Sequence, residues 1–196
     1  MPGRKRQMKI AFIGASCVGK TTLLERYRET FKNDPGVVVC VAEAARMFFA
    51  NHTVSDRFSV VTQGKIQLLA LRNEQEAYAT GAHLLFCDRS VLDAVVYVRA
   101  CGDKLGANKL FERVQTWAST YSKLLLLDPV GIDYVTDGIR QEDLDTRQQF
   151  HDAFIHFFQE TSLPYELLNG TFQERCRRID EILEAFQEEE KIKLPG

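Results

Sequence analysis

"IGASCVGKTTLLER" (residues 13–26) comes directly after the apolar run "MKIAFIG" and opens a helical pattern. Gly14, then Ala15, Ser16, Cys17 and Val18, then Gly19, Lys20 and Thr21 match G-x-x-x-x-G-K-[ST], with a strand before it and a helix after it. Glycine at both ends lets the chain wrap without a Cβ in the way, so successive backbone N–H groups turn inward toward an anion. The helix starting near Gly19 aims its positive end at the same place, and Lys20 adds a full charge. The Thr21 hydroxyl is within reach of a Mg²⁺ ion, and Thr22 completes the run. The expected occupants are therefore the β- and γ-phosphates of a nucleotide such as ATP, with Mg²⁺.

A competing reading of the N-terminus takes "MPGRKRQ" and "IAFIGASC" as a basic region, an apolar stretch and a processing site at Cys17. Its apolar segment is too short for an export signal, and cleavage there would destroy the phosphate loop. Residues 1–7, with Arg4, Lys5 and Arg6, read as a solvated basic arm.

A chain of 196 residues that is 45% apolar can bury one substantial core, so a single domain over 1–196 is expected. No run approaches 18 apolar residues, which argues against a membrane span and for a soluble protein. A formal charge of −2 offers no general attraction to nucleic acid. Five scattered cysteines without a C-x-x-C pair suit reduced thiols in the cytoplasm.

Short apolar runs recur at Lys9–Ile13, Val37–Ala42, His83–Cys87, Lys123–Leu127 and Tyr165–Leu168, separated by helical patterns. That alternation implies a three-layer α/β fold on a five-stranded parallel sheet covered on both faces. Two helices are clear. Phe172–Glu190 carries Phe172, Cys176, Ile179, Ile182, Leu183 and Phe186 on one stripe, and Thr146–Ser162 carries Phe150, Phe154, Phe157 and Phe158, read as core. Between Asp128 and Asp145 there is little periodicity, so residues 128–147 read as a lid.

Ligands of such sheets sit at the carboxyl ends of the strands. Glu43 follows the second strand, Asp88-Arg89-Ser90 the third, Asp128 the fourth, and Asn169-Gly170 the fifth, where they join the nucleotide site. Asp88 is expected to hold Mg²⁺ through water, with Asp128 at the end of "LLLLD" as its rival. Glu43 is expected to take the proton of an acceptor hydroxyl. Arg140 and Arg147 would close on the transferring phosphoryl group, and Arg89 would brace phosphates or substrate. Each carboxylate has a plainer alternative as a helix cap, and each lid arginine as a surface ion pair.

Taken in order, GxxxxGKT, "EAAR", "CDRS", "LLLLDP" with "DGIR", and "NGTFQER" resemble the ribosylnicotinamide kinase domain, grouped with AAA-like P-loop ATPase and kinase domains. The likeness covers about residues 9–178, and "DRS" also resembles deoxynucleoside kinases. It implies a nucleoside-monophosphate-kinase-like P-loop fold with strand order 2-3-1-4-5, and transfer of the ATP γ-phosphoryl group to a ribosyl hydroxyl. It also places Arg140 and Arg147 at lid positions. The implied partner is a small nucleoside-like acceptor, with Gln63, Gln67 and Arg72 facing either its pocket or solvent; a homodimer stays open. The alternative is a regulatory NTPase acting on a protein partner. "DPVG" at 128–131 fits a γ-phosphate-reading D-x-x-G, but "NKLF" at Asn108 lacks the aspartate of a guanine-reading N-K-x-D.

Overall fold

The computed structural model describes residues 7–33, 37–132 and 144–192. Strands β1 (Met8–Ile13), β2 (Val38–Val41), β3 (Leu84–Asp88), β4 (Lys123–Leu127) and β5 (Glu166–Leu168) form one parallel sheet in the order β2-β3-β1-β4-β5. The connecting helices are α1 (Lys20–Thr30), α2 (Ala44–Asn51), α3 (Val60–Ala79), α4 (Asp93–Ala100), α5 (Lys104–Ala118), α6 (Leu144–Thr161) and α7 (Phe172–Ile192).

Burial follows strand position. Every residue of the central strands β1 and β3 is buried, as expected where helices cover both faces, whereas the short edge strands β2 and β5 are only partly covered. Side chains of β1 alternate between the layers. Phe12 stacks with Phe86 and Tyr27 on the α1 side, and the Tyr27 hydroxyl donates to Asp180 Oδ1 of α7 at 2.8 Å. Lys9 points to the other layer, where α3 and α5 lie.

The expected strands and helices are present with small shifts at their ends. β5 begins one residue later than its apolar run, and α6 begins at Leu144, so Arg147 belongs to the first turns of a helix. Phe150, Phe154, Phe157 and Phe158 are core, as is the stripe of α7 from Cys176 to Phe186. Phe172 departs from that stripe and is exposed, because it opens the helix beyond the reach of the core. All five cysteines are free.

On the α3–α5 side a charged pair is buried. Lys9 Nζ donates to Glu74 Oε2 at 3.0 Å with both side chains almost sealed from solvent, and it lies over the rings of Tyr121 and Trp117. Trp117 Nε1 donates to Glu74 Oε2 at 2.8 Å, and the Tyr121 hydroxyl to Glu74 Oε1 at 2.6 Å. Burial pushes the Lys9 ammonium below its usual range, and Glu74 opposes the shift. Removing one partner of such a pair strands the other charge, so Glu74→Ala should destabilise the fold by about 3–5 kcal/mol. Lys9→Met/Glu74→Leu should recover most of that loss. Urea denaturation checks both; a loss under about 1 kcal/mol in the single variant would show that Lys9 does not need the carboxylate.

Candidate active site

The turn between β1 and α1 is shaped by backbone conformations that side chains resist. Gly14 has φ +127°, and a Cβ there would lie 3.2 Å from the Leu127 carbonyl oxygen. Gly19, at φ +91°, is the N-cap of α1 and provides no side-chain cap. The first N–H groups of α1 thus carry no capping side chain at the end where the helix dipole is positive. Ala15, Ser16 and Val18 are fully buried beneath the turn, Cys17 bulges at φ +54°, and Thr22 is exposed. Lys20 folds over the loop, donating to the carbonyls of Gly14, at 3.0 Å, and Ala15.

Beside the cup, the Thr21 hydroxyl donates to Asp88 Oδ2 at 2.6 Å. Asp88 Oδ1 is buried and, among the described residues, has no hydrogen-bond partner. A threonine oxygen next to an orphaned carboxylate oxygen is the donor set that a Mg²⁺ ion uses with one or two protein oxygens, phosphates and water. Among the described residues no group of three or more His, Cys, Asp or Glu side chains could hold a metal without such help. Asp128, the rival, turns its Oδ1 onto the Val130 N–H at 2.9 Å and so closes its own loop. That also accounts for "DPVG", whose Gly131 adopts φ +75° in the same turn.

Glu43 sits at the N-cap of α2, but its side chain does not cap that helix. Instead Oε1 accepts from Arg89 Nε at 2.6 Å, while Oε2 lies 3.6 Å from Arg46 Nε. Arg89 adopts φ +75° immediately after β3 and is almost fully enclosed. Its Nη1 donates to Asp93 Oδ1 (2.9 Å), the Tyr97 hydroxyl (2.7 Å) and the Gly14 carbonyl (3.2 Å). Asp93 Oδ2 accepts from the N–H and hydroxyl of Ser90. Burial raises the Asp93 carboxyl above its usual range, with Arg89 and Ser90 pulling the other way. Arg89 thus ties Glu43 to the phosphate loop and to the start of α4.

Glu43, Asp88 and Arg89 form one end of a cavity that continues between α2, α3 and α4. Its wall carries the rings of Phe49, Phe58 and Tyr97, the small residues Ala44, Ala45, Ala70 and Ala94, and the inner face of α3. Gln63 and Gln67 line it, whereas Arg72 points out and pairs with Glu76 at 2.8 Å.

The other predicted residues are placed less directly. Arg140 lies outside the described residues. Arg147 is buried and donates to the carbonyls of Pro129 and Ile132, the second at 3.1 Å, tying down the loop that follows β4. Asn169 and Gly170 are exposed at the β5–α7 turn.

What joins that turn to the cup is Arg175, to which the sequence reading gave no role. Its Nη1 donates to Val18 O (2.8 Å), Nη2 to Asp128 O (2.6 Å) and Nε to Gly170 O (3.0 Å). An arginine beside Cys176 and Ile179 on the buried stripe of α7 was the available signal. Burial lowers its pKa from the usual arginine value, against the pull of Asp128. The end of α7 that carries it is closed by reciprocal bonds between Thr171 and Glu174, a capping box.

A family model described as "AAA domain" matches residues 9–175, and the chain belongs to that family. Its P-loop kinase fold is shared with two solved NadR structures, both 17% identical with TM-score 0.70. One, in complex with NAD and AMP-PNP, is matched over 97% of this chain and 51% of its own; the other, in complex with NR, over 91% and 49%. This chain thus spans about half their length. A thymidylate kinase from Ehrlichia chaffeensis is 14% identical with TM-score 0.61, over 90% of this chain and 99% of its own. No curated protein matches by sequence.

Two measurements test this construction. Arg175→Ala strips a charged donor from three carbonyls and should cost about 3 kcal/mol or more, with MgATP affinity falling at least tenfold in calorimetry. Unchanged affinity in a folded variant would show that the tie does not shape the cup. His151, on α6, is pushed below its ordinary pKa of 6.5 by burial, with Asp128 and Asp152 opposing and Arg147 assisting. The unfolded chain then binds this proton more readily than the folded one, so His151 adds no penalty above about pH 6.5, one that grows as pH falls from there toward its folded value, and a constant one below it. His151→Leu should flatten that acid-side decline in denaturant titrations.

Proposed function

We propose that this chain is an ATP-dependent kinase that transfers the γ-phosphoryl group to a hydroxyl of a nucleoside-like acceptor, with a ribosylnicotinamide-type molecule as the leading candidate. The observation that carries this reading is the cavity that opens beside Glu43 and Asp88, directly against the phosphate cup. Phosphoryl transfer needs an in-line nucleophile, neutralised phosphates and little covalent help from the protein. NAD, AMP-PNP and NR, bound by the NadR proteins of the same fold, have the chemistry that such a cup and cavity would take.

In this reading the loop N–H groups and Lys20 hold the β- and γ-phosphates. Thr21, and Asp88 through water, would hold Mg²⁺, which would supply positive charge to offset that of the phosphates. Glu43 accepts the hydroxyl proton through Oε2 while Arg89 keeps Oε1 fixed, so the carboxylate cannot swing away from the acceptor. Arg147 secures the root of the lid, and Arg140 keeps its sequence-based role of closing on the phosphoryl group. A cytoplasmic location accords with five free thiols and with the lack, among the described residues, of any helix long and apolar enough to cross a membrane.

An acceptor screen decides the reading. ATP consumption should be slow alone and rise to about 1–100 s⁻¹ with the right riboside. Stimulation by a protein partner and by no small alcohol would contradict it. Glu43→Gln should lower kcat about 10²–10⁴-fold with MgATP binding nearly intact. Lys20→Ala should lower turnover about 10²–10³-fold without loss of the fold, and Asp88→Asn should raise the Mg²⁺ concentration required.

A further inference from the structure

The cavity does not end at the reacting site. Gln63, Gln67, Ala70 and Glu74 recur along α3 at spacings of four, three and four, and all four line it. Such a stripe is about 16 Å long at 1.5 Å per residue. The amide nitrogens of both glutamines along it donate to backbone carbonyls. Gln63 Nε2 donates to Arg57 O at 2.7 Å; Gln67 Nε2 donates to the carbonyls of Val91 and Leu110, and its oxygen accepts from Arg113. Between the Phe49 and Phe58 rings and the alanines, the middle of the cavity suits a flat aromatic ring.

At its deep end stands Glu74, 1% exposed. The carboxylate accepts three hydrogen bonds, from Lys9, Trp117 and Tyr121. An ionised carboxylate offers about four acceptor positions, so capacity for one more donor remains. Lys9 is already matched by Glu74, so the pair has no positive charge to spare for an anion.

The sheet register gives the offset of the two ends along the strands. Lys9 pairs with Leu85 and Val41 with Cys87, which puts Glu43 level with the residue after Asp88. Four residues of β3 correspond to about 13 Å along the strands, and β1 and β2 stand a further two strand spacings, about 10 Å, apart across the sheet. The two ends thus leave room for one riboside with a hydrogen bond at either end.

We propose that Glu74 is a specificity-determining residue of the acceptor cavity. It accepts a hydrogen bond from an N–H on the ring edge farthest from the sugar, such as a carboxamide, and turns away ribosides that carry a carboxylate there. The inference rests on the kinase reading for the orientation of the acceptor, with its primary hydroxyl at Glu43. It extends that reading by naming the functional group that is read at the opposite end.

The test uses the full chain and two probes that differ only in this group, nicotinamide riboside and nicotinic acid riboside. Binding is followed by calorimetry in the presence of MgADP, and phosphorylation is measured in parallel with MgATP. The carboxamide should bind at least 100-fold more tightly. In Lys9→Met/Glu74→Gln, which removes both charges together, the preference should fall below tenfold with MgADP binding unchanged. Glu74→Asp keeps the charge opposite Lys9 but withdraws the carboxylate by one methylene. It should lose carboxamide affinity at least tenfold without admitting the acid, an outcome that loss of charge balance alone would not produce.

Equal binding of the two probes, no binding of either, or an undiminished preference in both variants would overturn the inference. If the acid and the amide are phosphorylated equally well, the kinase reading stands and the role of Glu74 falls. If the amide is bound selectively but never phosphorylated, Glu74 keeps its role and the kinase reading falls.

Discussion

The site is organised by one guanidinium. Arg89 sits where β3 ends, in a left-handed conformation that an arginine adopts only under constraint, and its N–H groups reach the acid Glu43, the Gly14 carbonyl and the start of α4. Those contacts join the phosphate loop, the cavity beside it and the α4 helix that lines it. Without them, Glu43 would be a buried carboxylate with only a distant arginine, and the cup and cavity would be two separate features. A buried charge is tolerated only with partners, and here the partners come from the residues that follow β1 and β2 and from α4.

A second arginine does related work on the opposite side of the cup. Arg175 binds carbonyls only, from the phosphate loop, the end of β4 and the β5–α7 turn. Where Arg89 aligns an acid, Arg175 holds backbone together, and three loops distant in sequence gain a common anchor. Arg147 repeats the device on the loop after β4. Lys9 and Glu74 show the third use of buried charge, a pair almost sealed from solvent at the wall of the cavity, which Glu74 lines.

Much of the architecture was legible because it depends on short-range pattern. Continuous apolar runs marked the central strands, and the glycine spacing marked the cup, since both are requirements of backbone sterics and burial. The edge strand β5 was read one residue too long because a half-covered strand has a weaker apolar signature. The site was legible only as far as strand ends indicate it. Asp88 and Glu43 were singled out in this way, and Thr21 and Arg89 by their motifs, but that Thr21 pairs with Asp88 and Arg89 with Glu43 was not legible, because pairing across strands leaves no periodic trace. Arg72 was raised alongside Gln63 and Gln67 on helical grounds, yet it lies off the stripe that faces the cavity. Arg175 and Glu74 are charged residues in otherwise apolar surroundings, which sequence shows only as exceptions to a pattern.

In the proposed reaction a metal-bound nucleotide at Thr21 and Asp88 would meet the hydroxyl end of a riboside at Glu43, with the ring pointing toward Glu74. Paramagnetic broadening by Mn²⁺ bound with ADP measures that orientation directly. The acceptor's hydroxymethyl protons should broaden first and its far-edge ring protons last. Ring protons broadening first, or no broadening of any acceptor resonance, would contradict it.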